Sequence, residues 1–108
     1  LEHLSDNGFI IMHDCCPPTK FSQRENYETK NKKFTFWNGT VWKSYVKLRM
    51  NNSNLKMSVV DCDWGVGIIQ KGKQKLLKNI DNLKYEDLKS NRKKLLNLIS
   101  IYEFFCLY

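Results

Sequence analysis

The chain has 108 residues, of which 42% are hydrophobic, and 18 Lys and Arg against 11 Asp and Glu give a formal net charge of +7. This length accommodates at most one small domain, and no apolar run approaches the roughly 18 residues that a membrane span needs. Positive charge suits polyanions such as nucleic acid. However, the lysines are scattered among many asparagines, which favours a simple solvated surface.

The first predicted elements are the end of a helix and a short strand. Residues 1–7 read as the last turns of a helix that the Asn7-Gly8 turn stops. The FIIM run at 9–12 is apolar throughout and is followed by the polar pair His13-Asp14. This pattern predicts a strand buried on both faces, as in parallel sheets covered by helices on each side.

A long loop and a helix follow in the predicted order. Residues 17–36 are polar and aperiodic, begin with Pro17-Pro18 and contain a basic cluster near their end, so they predict a loop. Apolar residues at helical spacing, Trp42 among them, predict a helix over 39–50 that buries one face. Asn38 is the expected N-cap of this helix.

The remaining pattern predicts a hairpin and a long C-terminal helix. Residues 55–62 and 66–72 read as two strands that the DWG turn at 63–65 joins. Leucine, isoleucine and tyrosine at helical spacing predict one amphipathic helix over 83–106, with Arg92 and its basic neighbours on the solvent side. The fold class predicted from these elements is α/β.

The four cysteines show no CxxC pair and no spacing of a disulfide framework. They are Cys15, Cys16, Cys62 and Cys106. We therefore expect a reducing, cytoplasmic compartment with thiols that mostly pack in the interior.

Three motifs occur in the order of a known family. They are GFIIMHDC at 8–15, WNGTVWK at 37–43 and VVDCDWGVGII at 59–69. Together they resemble the C-terminal half of class I S-adenosylmethionine-dependent methyltransferases, and most closely a bacterial subgroup with tails of the form GG-x-I-x-x-HD-C-x-P, WNGDVWK and D-x-G-x-G-x-I. The segment YEDLKSNRKKLLNLIS at 85–100 is similar to the closing helix of such proteins.

The resemblance implies a Rossmann-like sheet in which 9–12 is the fifth strand, 55–62 the sixth and 66–70 the antiparallel seventh. Residues 1–108 would form a partial methyltransferase domain, with a sheet-forming part at 1–72 and a helical tail at 73–108. The uncovered flank, where strands one to four would add, predicts self-association of the isolated chain.

The same resemblance places the cofactor site outside this chain. In the family, the glycine-rich turn for S-adenosylmethionine and the acid that holds its ribose follow the first two strands, which would precede Leu1. We therefore expect a longer protein and no cofactor-binding residue here. The G-x-G at 65–67 lies in the predicted hairpin, with no helix N-terminus after it, so it does not read as a nucleotide loop.

The candidate site residues implied by the resemblance are His13 and Asp14 as catalytic groups and Trp37 and Asn38 as walls of the acceptor pocket. Methyl transfer to oxygen needs a deprotonated, aligned hydroxyl, which a carboxylate or imidazole can provide. Asp14 is also the candidate ligand if a metal such as Mg²⁺ is used. In the structural alternative, Asp14 caps the loop and His13 packs.

Two further observations bear on the candidate site. A zinc site built from His13, Asp14, Cys62 and Asp63 is disfavoured, because structural zinc usually takes paired C-x₂₋₄-C ligands. The related tails often carry Asp where this chain has Thr40, which weakens a catalytic role at that position.

The predicted function is O-methylation of a small-molecule acceptor such as a sugar or natural product, by a longer protein of which this chain alone is inactive. One alternative is a non-catalytic basic α/β module that binds a polyanion, although no nucleic-acid motif is visible. Another is a truncated, inactive methyltransferase.

Overall fold

A computed structural model describes residues 3–24 and 38–108, which form an α/β fold around a mixed four-stranded sheet. In chain order the elements are β1 (Ile10–Met12), α1 (Val41–Asn51), β2 (Leu55–Val60), β3 (Val66–Lys71), α2 (Tyr85–Ser90), α3 (Arg92–Leu96), β4 (Leu98–Ile99) and α4 (Ile101–Leu107). None of the helices in these two ranges is long and apolar enough to cross a membrane.

The sheet has the strand order β1-β3-β2-β4. β2 and β3 form the predicted hairpin, with Val60 opposite Val66 at its closed end. β1 pairs antiparallel with β3 on one side, and β4 pairs parallel with β2 on the other. Consequently β1, β2 and β4 all run in the same direction, and only β3 is reversed.

One face of the sheet carries the main core. Trp42 and Tyr45 of α1 are fully buried and pack with side chains of β2 and β3 such as Met57 and Ile69. The Tyr45 hydroxyl donates to the Leu96 carbonyl at 2.7 Å, which ties α1 to the end of α3. The helix predicted over 39–50 and the predicted hairpin are therefore confirmed, and they supply most of this core.

The opposite face carries a smaller apolar cluster. Val60, Ile68 and Ile99 are buried there, with Phe104 of α4 packed against them. α4 has no buried residue of its own. This face is therefore only partly covered within the described part of the chain.

Two N-terminal predictions are corrected. Residues 3–7 contain no helix, although the predicted turn is present, since the Gly8 amide donates to the Ser5 carbonyl at 3.1 Å. The strand β1 is confirmed, but its burial on both faces is wrong because Ile11 is 57% exposed. β1 lies at the edge of the sheet, and its Ile11 side chain is on the face that only α4 covers in part.

The single helix predicted over 83–106 is also wrong. It is divided into α2, α3, the strand β4 and α4. Asn91 ends α2, and Asn97 ends α3 in the left-handed conformation, with φ of 50°. The side-chain Nδ2 of Asn97 donates to the Met57 carbonyl at 2.8 Å. This bond holds the end of α3 next to β2, so that β4 lies beside β2. Ser100 then caps α4 by accepting from the Glu103 amide at 3.1 Å.

Only some residues of the predicted apolar stripe over 83–106 are buried. Leu88, Leu95 and Ile99 are buried as predicted, but Tyr102 is 85% exposed and Cys106 is exposed too. Leu88 and Leu95 are buried in two short helices and Ile99 in a strand, yet their spacing in the sequence is that of one helix. The sequence pattern alone does not separate these cases.

Candidate functional site

The carboxyl ends of β1, β2 and β4 meet at one edge of the sheet because these three strands run in the same direction. His13 and Asp14 follow β1, the turn at 61–65 follows β2, and Ser100 follows β4. Open α/β sheets bind ligands at such an edge. At this edge, called the carboxyl edge below, lie three of the predicted site residues, His13, Asp14 and Asn38.

The loop after β1 is fastened to the hairpin turn by backbone hydrogen bonds. The Cys15 amide donates to the Gly65 carbonyl at 2.9 Å, and the Cys16 amide donates to the Trp64 carbonyl at 2.8 Å. To reach them the chain turns sharply at Asp14, whose φ is 59°. A non-glycine residue in this region is uncommon, and Asp is one of the residues that tolerate it. Asp14 is thus held in a fixed position at the carboxyl edge.

The two glycines of the G-x-G sequence make this close contact possible. A Cβ on Gly65, which has φ of 89°, would contact the Cys16 amide nitrogen and lie 2.5 Å from the Cys16 Cβ. A Cβ on Gly67 would lie 2.9 Å from the Cys15 Sγ. The motif therefore serves packing between the hairpin and the loop after β1. It does not present a helix N-terminus, so these residues do not fit a nucleotide or S-adenosylmethionine site.

Asp14 and Asn38 are joined directly, although they are 24 residues apart in the sequence. The Asn38 Nδ2 donates to the Asp14 Oδ1 at 3.0 Å. Asn38 is buried, and its own amide donates to the Ser22 carbonyl at 2.6 Å. The expected N-cap role of Asn38 is wrong, because Thr40 occupies that position and no side chain caps α1. Asn38 instead orients the carboxylate of Asp14.

The two side chains of this pair differ in exposure. Asp14 is half-buried, whereas the Asn38 Oδ1 is shielded from solvent and has no hydrogen-bond partner among the described residues. The Asp14 carboxylate can therefore accept from a ligand hydroxyl, and Asn38 acts on a ligand only through Asp14.

The other two candidate residues are not joined to this pair. His13 is exposed, and within residues 3–24 and 38–108 its ring has no hydrogen-bond partner. Trp37 and the basic cluster of Lys30, Lys32 and Lys33 lie outside the described residues.

Arg92 is a residue that the sequence interpretation placed wrongly. Its guanidinium donates to the Pro17 carbonyl at 2.7 Å, to the Tyr85 hydroxyl at 2.6 Å and to the Cys16 Sγ at 3.3 Å. Proline has no N–H, so a Pro-Pro segment offers only acceptors, which a guanidinium fork can serve. Arg92 therefore fixes the loop after β1 from the side of α3. No local sequence signal indicates this, since Cys16 and Pro17 are 76 and 75 residues away in the sequence.

A depression of about 400 Å³ lies beside this loop at the carboxyl edge. It is lined by Cys16, Asp61, Asp63, Trp64 and Arg92, among others. The turn at 63–65 is confirmed, with φ of 49° at Asp63 and 59° at Trp64. The depression is large enough for a ring-sized ligand and combines an indole with carboxylates.

The thiols at this edge are free. Burial raises the pKa of the Cys15 thiol to about 12, so Cys15 is a protonated core residue at neutral pH. Within residues 3–24 and 38–108 no three His, Cys, Asp or Glu side chains are grouped so that they could hold a metal ion.

Compared with known proteins, the chain matches no family model, no curated protein and no solved structure. The geometry of the carboxyl edge is therefore the basis for a functional assignment.

Proposed function

We propose that this chain is the acceptor-binding half of an S-adenosylmethionine-dependent methyltransferase that methylates a hydroxyl group of a small molecule such as a sugar or natural product. The observation that carries the proposal is the hydrogen bond between Asn38 and Asp14 at the carboxyl edge. Two motifs on which the resemblance rests are joined there by their polar side chains. A cytoplasmic location belongs to the proposal and agrees with four free thiols.

The strand directions also support the proposal. β3, which would be the seventh strand, is antiparallel to both neighbours, and β1 and β2, which would be the fifth and sixth, run parallel to each other. This is what the resemblance implies for these three strands. A helix, α1, connects β1 to β2 on the main core face, as expected of a parallel crossover.

In this proposal Asp14 is the general base. Its Oδ1 is occupied by the Asn38 amide, which leaves Oδ2 to accept the proton of the acceptor hydroxyl. Asn38 acts on the acceptor through Asp14, whose carboxylate it orients. In this proposal the cofactor binds outside this chain, as the resemblance implies. The chain alone is then inactive.

The first test concerns the protein from which the chain derives. If no glycine-rich turn that follows a strand lies within roughly 150 residues before Leu1, about one domain length, the proposal fails. If one does, calorimetric titration of the full-length protein with S-adenosylhomocysteine should give saturable binding. Binding to heparin at low salt without binding of S-adenosylhomocysteine would instead support a basic binding module.

The second test concerns Asp14. Asp14→Asn in the full-length protein should lower kcat by roughly 100-fold or more while S-adenosylhomocysteine still binds, since a general base contributes that much. Asp6→Asn is the matched control, because the Asp6 side chain is 91% exposed and lies outside the site. It should leave kcat within about twofold of the parent. An Asp14→Asn variant that turns over at the parent rate would contradict the assignment.

A further inference from the structure

The C-terminal helix α4 leaves an unusual amount of apolar surface uncovered. Six of its seven residues are apolar, and Glu103 is the exception. Tyr102 is 85% exposed, Phe105 78% and Ile101 48%. A helix that is apolar on nearly all sides normally has partners on all sides. The described part of the chain provides a partner on one side only, through Phe104.

The uncovered surface continues from α4 across the same face of the sheet. Ile11 lies directly opposite Ile68, so it is on the face that α4 partly covers. The Phe9 ring lies 6.4 Å from the Tyr108 ring, and the Phe104 and Tyr108 rings are 5.2 Å apart. We use the name α4 patch for five exposed side chains from α4, β1 and the residue before β1. They are Phe9, Ile11, Ile101, Tyr102 and Phe105.

The area of the α4 patch is that of an interface. With about 200 Å² for each large side chain, the exposed fractions of its five members amount to apolar surface on the order of 600 Å². A stable dimer buries about 800 Å² per partner, of which little more than half is apolar. The patch therefore supplies the whole apolar share of such an interface.

The patch contains both a projecting side chain and a cavity that can receive it. Next to α4 lies a depression of about 300 Å³ that is lined by apolar side chains, Val60 and Val66 among them. Ile101 also lines it, whereas the next residue, Tyr102, does not and projects into solvent. One surface with both features is self-complementary, which a two-fold symmetric interface requires.

Charge does not oppose this contact. No Lys, Arg or Asp side chain lines the depression, and the Glu103 carboxylate accepts from the Ser100 amide at 3.1 Å within its own helix. The Lys56 ammonium lies 4.9 Å from the centre of the Tyr108 ring, so one positive charge borders this face, and none lines the depression.

We infer that two copies of this chain associate through the α4 patch, with Tyr102 of each copy inserted into the apolar depression beside α4 of the other. This inference does not depend on the methyltransferase proposal. It also differs from pairing along the free edge of β1. That strand has three residues and offers few hydrogen bonds, and short edge strands resist such pairing.

Sedimentation velocity in a reducing buffer tests the inference, since reducing agent excludes disulfides through the exposed Cys106. From about 1 to about 200 µM, a range that brackets a micromolar Kd, the chain should shift from monomer to dimer. Tyr102→Ser should raise the Kd by roughly tenfold or more, as expected for a central aromatic residue. Because Tyr102 is exposed, the variant should keep the parent far-UV circular dichroism.

The matched control is Leu76→Ser. Leu76 is 45% exposed and lies in the segment between β3 and α2, outside the α4 patch. Its Kd should stay within about twofold of the parent. A chain that is monomeric throughout the range overturns the inference. So does a dimer that keeps its Kd in both Tyr102→Ser and Phe105→Ser, because the contact would then lie elsewhere.

Discussion

The replacement Gly65→Ala tests whether the G-x-G sequence is a packing device. Gly65 has φ of 89°, and a non-glycine residue held in such a region costs of the order of 1–3 kcal/mol. The added Cβ would also lie 2.5 Å from the Cys16 Cβ and 3.0 Å from the Cys15 carbonyl carbon. The loop after β1 must then withdraw from the hairpin, which weakens two backbone hydrogen bonds worth about 1 kcal/mol each.

We therefore expect Gly65→Ala to lower the free energy of unfolding by roughly 3–4 kcal/mol, a large part of the stability of a small domain. Urea titration followed by far-UV circular dichroism measures this change. Gly8→Ala is the control, since the nearest atom there is the Ser5 hydroxyl, which can rotate away. It should cost less than about 1 kcal/mol. A Gly65→Ala variant within about 1 kcal/mol of the parent would refute the close-contact argument.

Two further predictions concern buried polar groups. Tyr45→Phe removes the donor to the buried Leu96 carbonyl and should lower the free energy of unfolding by about 1–2 kcal/mol, measurable by the same urea titration; an unchanged value would show that the bond contributes nothing. Burial raises the pKa of Cys15 from 9.0 to about 12, so above about pH 9 the unfolded chain releases a proton that the folded chain retains. Stability should be insensitive to this thiol below pH 9 and fall between about pH 9 and 12, more steeply in the parent than in Cys15→Ala. Equal slopes in the two proteins would contradict the assignment.

Local patterns were sufficient for the elements that local interactions decide. The hairpin was predicted because alternating apolar residues at 55–59 precede the tight DWG turn, and the structure places Gly65 of that turn in the left-handed region. The helix α1 was predicted because Trp42 and Tyr45 recur at helical spacing. In both cases the residues that define the element also form its core contacts, so the sequence and the fold carry the same information.

The errors lie where contacts distant in the chain override local preference. Asn38 is a good N-cap residue, but its side chain bonds to Asp14, which precedes it by 24 residues. Arg92 sits in a basic run typical of a solvated surface, yet it binds carbonyls of the loop after β1. Asn97 ends α3, and its side-chain Nδ2 donates to the carbonyl of Met57 in β2, 40 residues earlier in the chain. None of these hydrogen-bond partners can be predicted from the spacing of residues in the sequence.

The order of strands in the sheet has a consequence for how the protein folds during synthesis. The two inner strands, β2 and β3, are neighbours in the chain and can pair as soon as both have left the ribosome. The outer strand β4 begins 27 residues after β3 ends. β1 is synthesised first, and more than 50 residues separate it from β3, with which it pairs. Closing such a long loop costs conformational entropy before any contact repays it. The loop after β1, with Asp14, thus acquires its final shape late, when the hairpin turn that fastens it already exists.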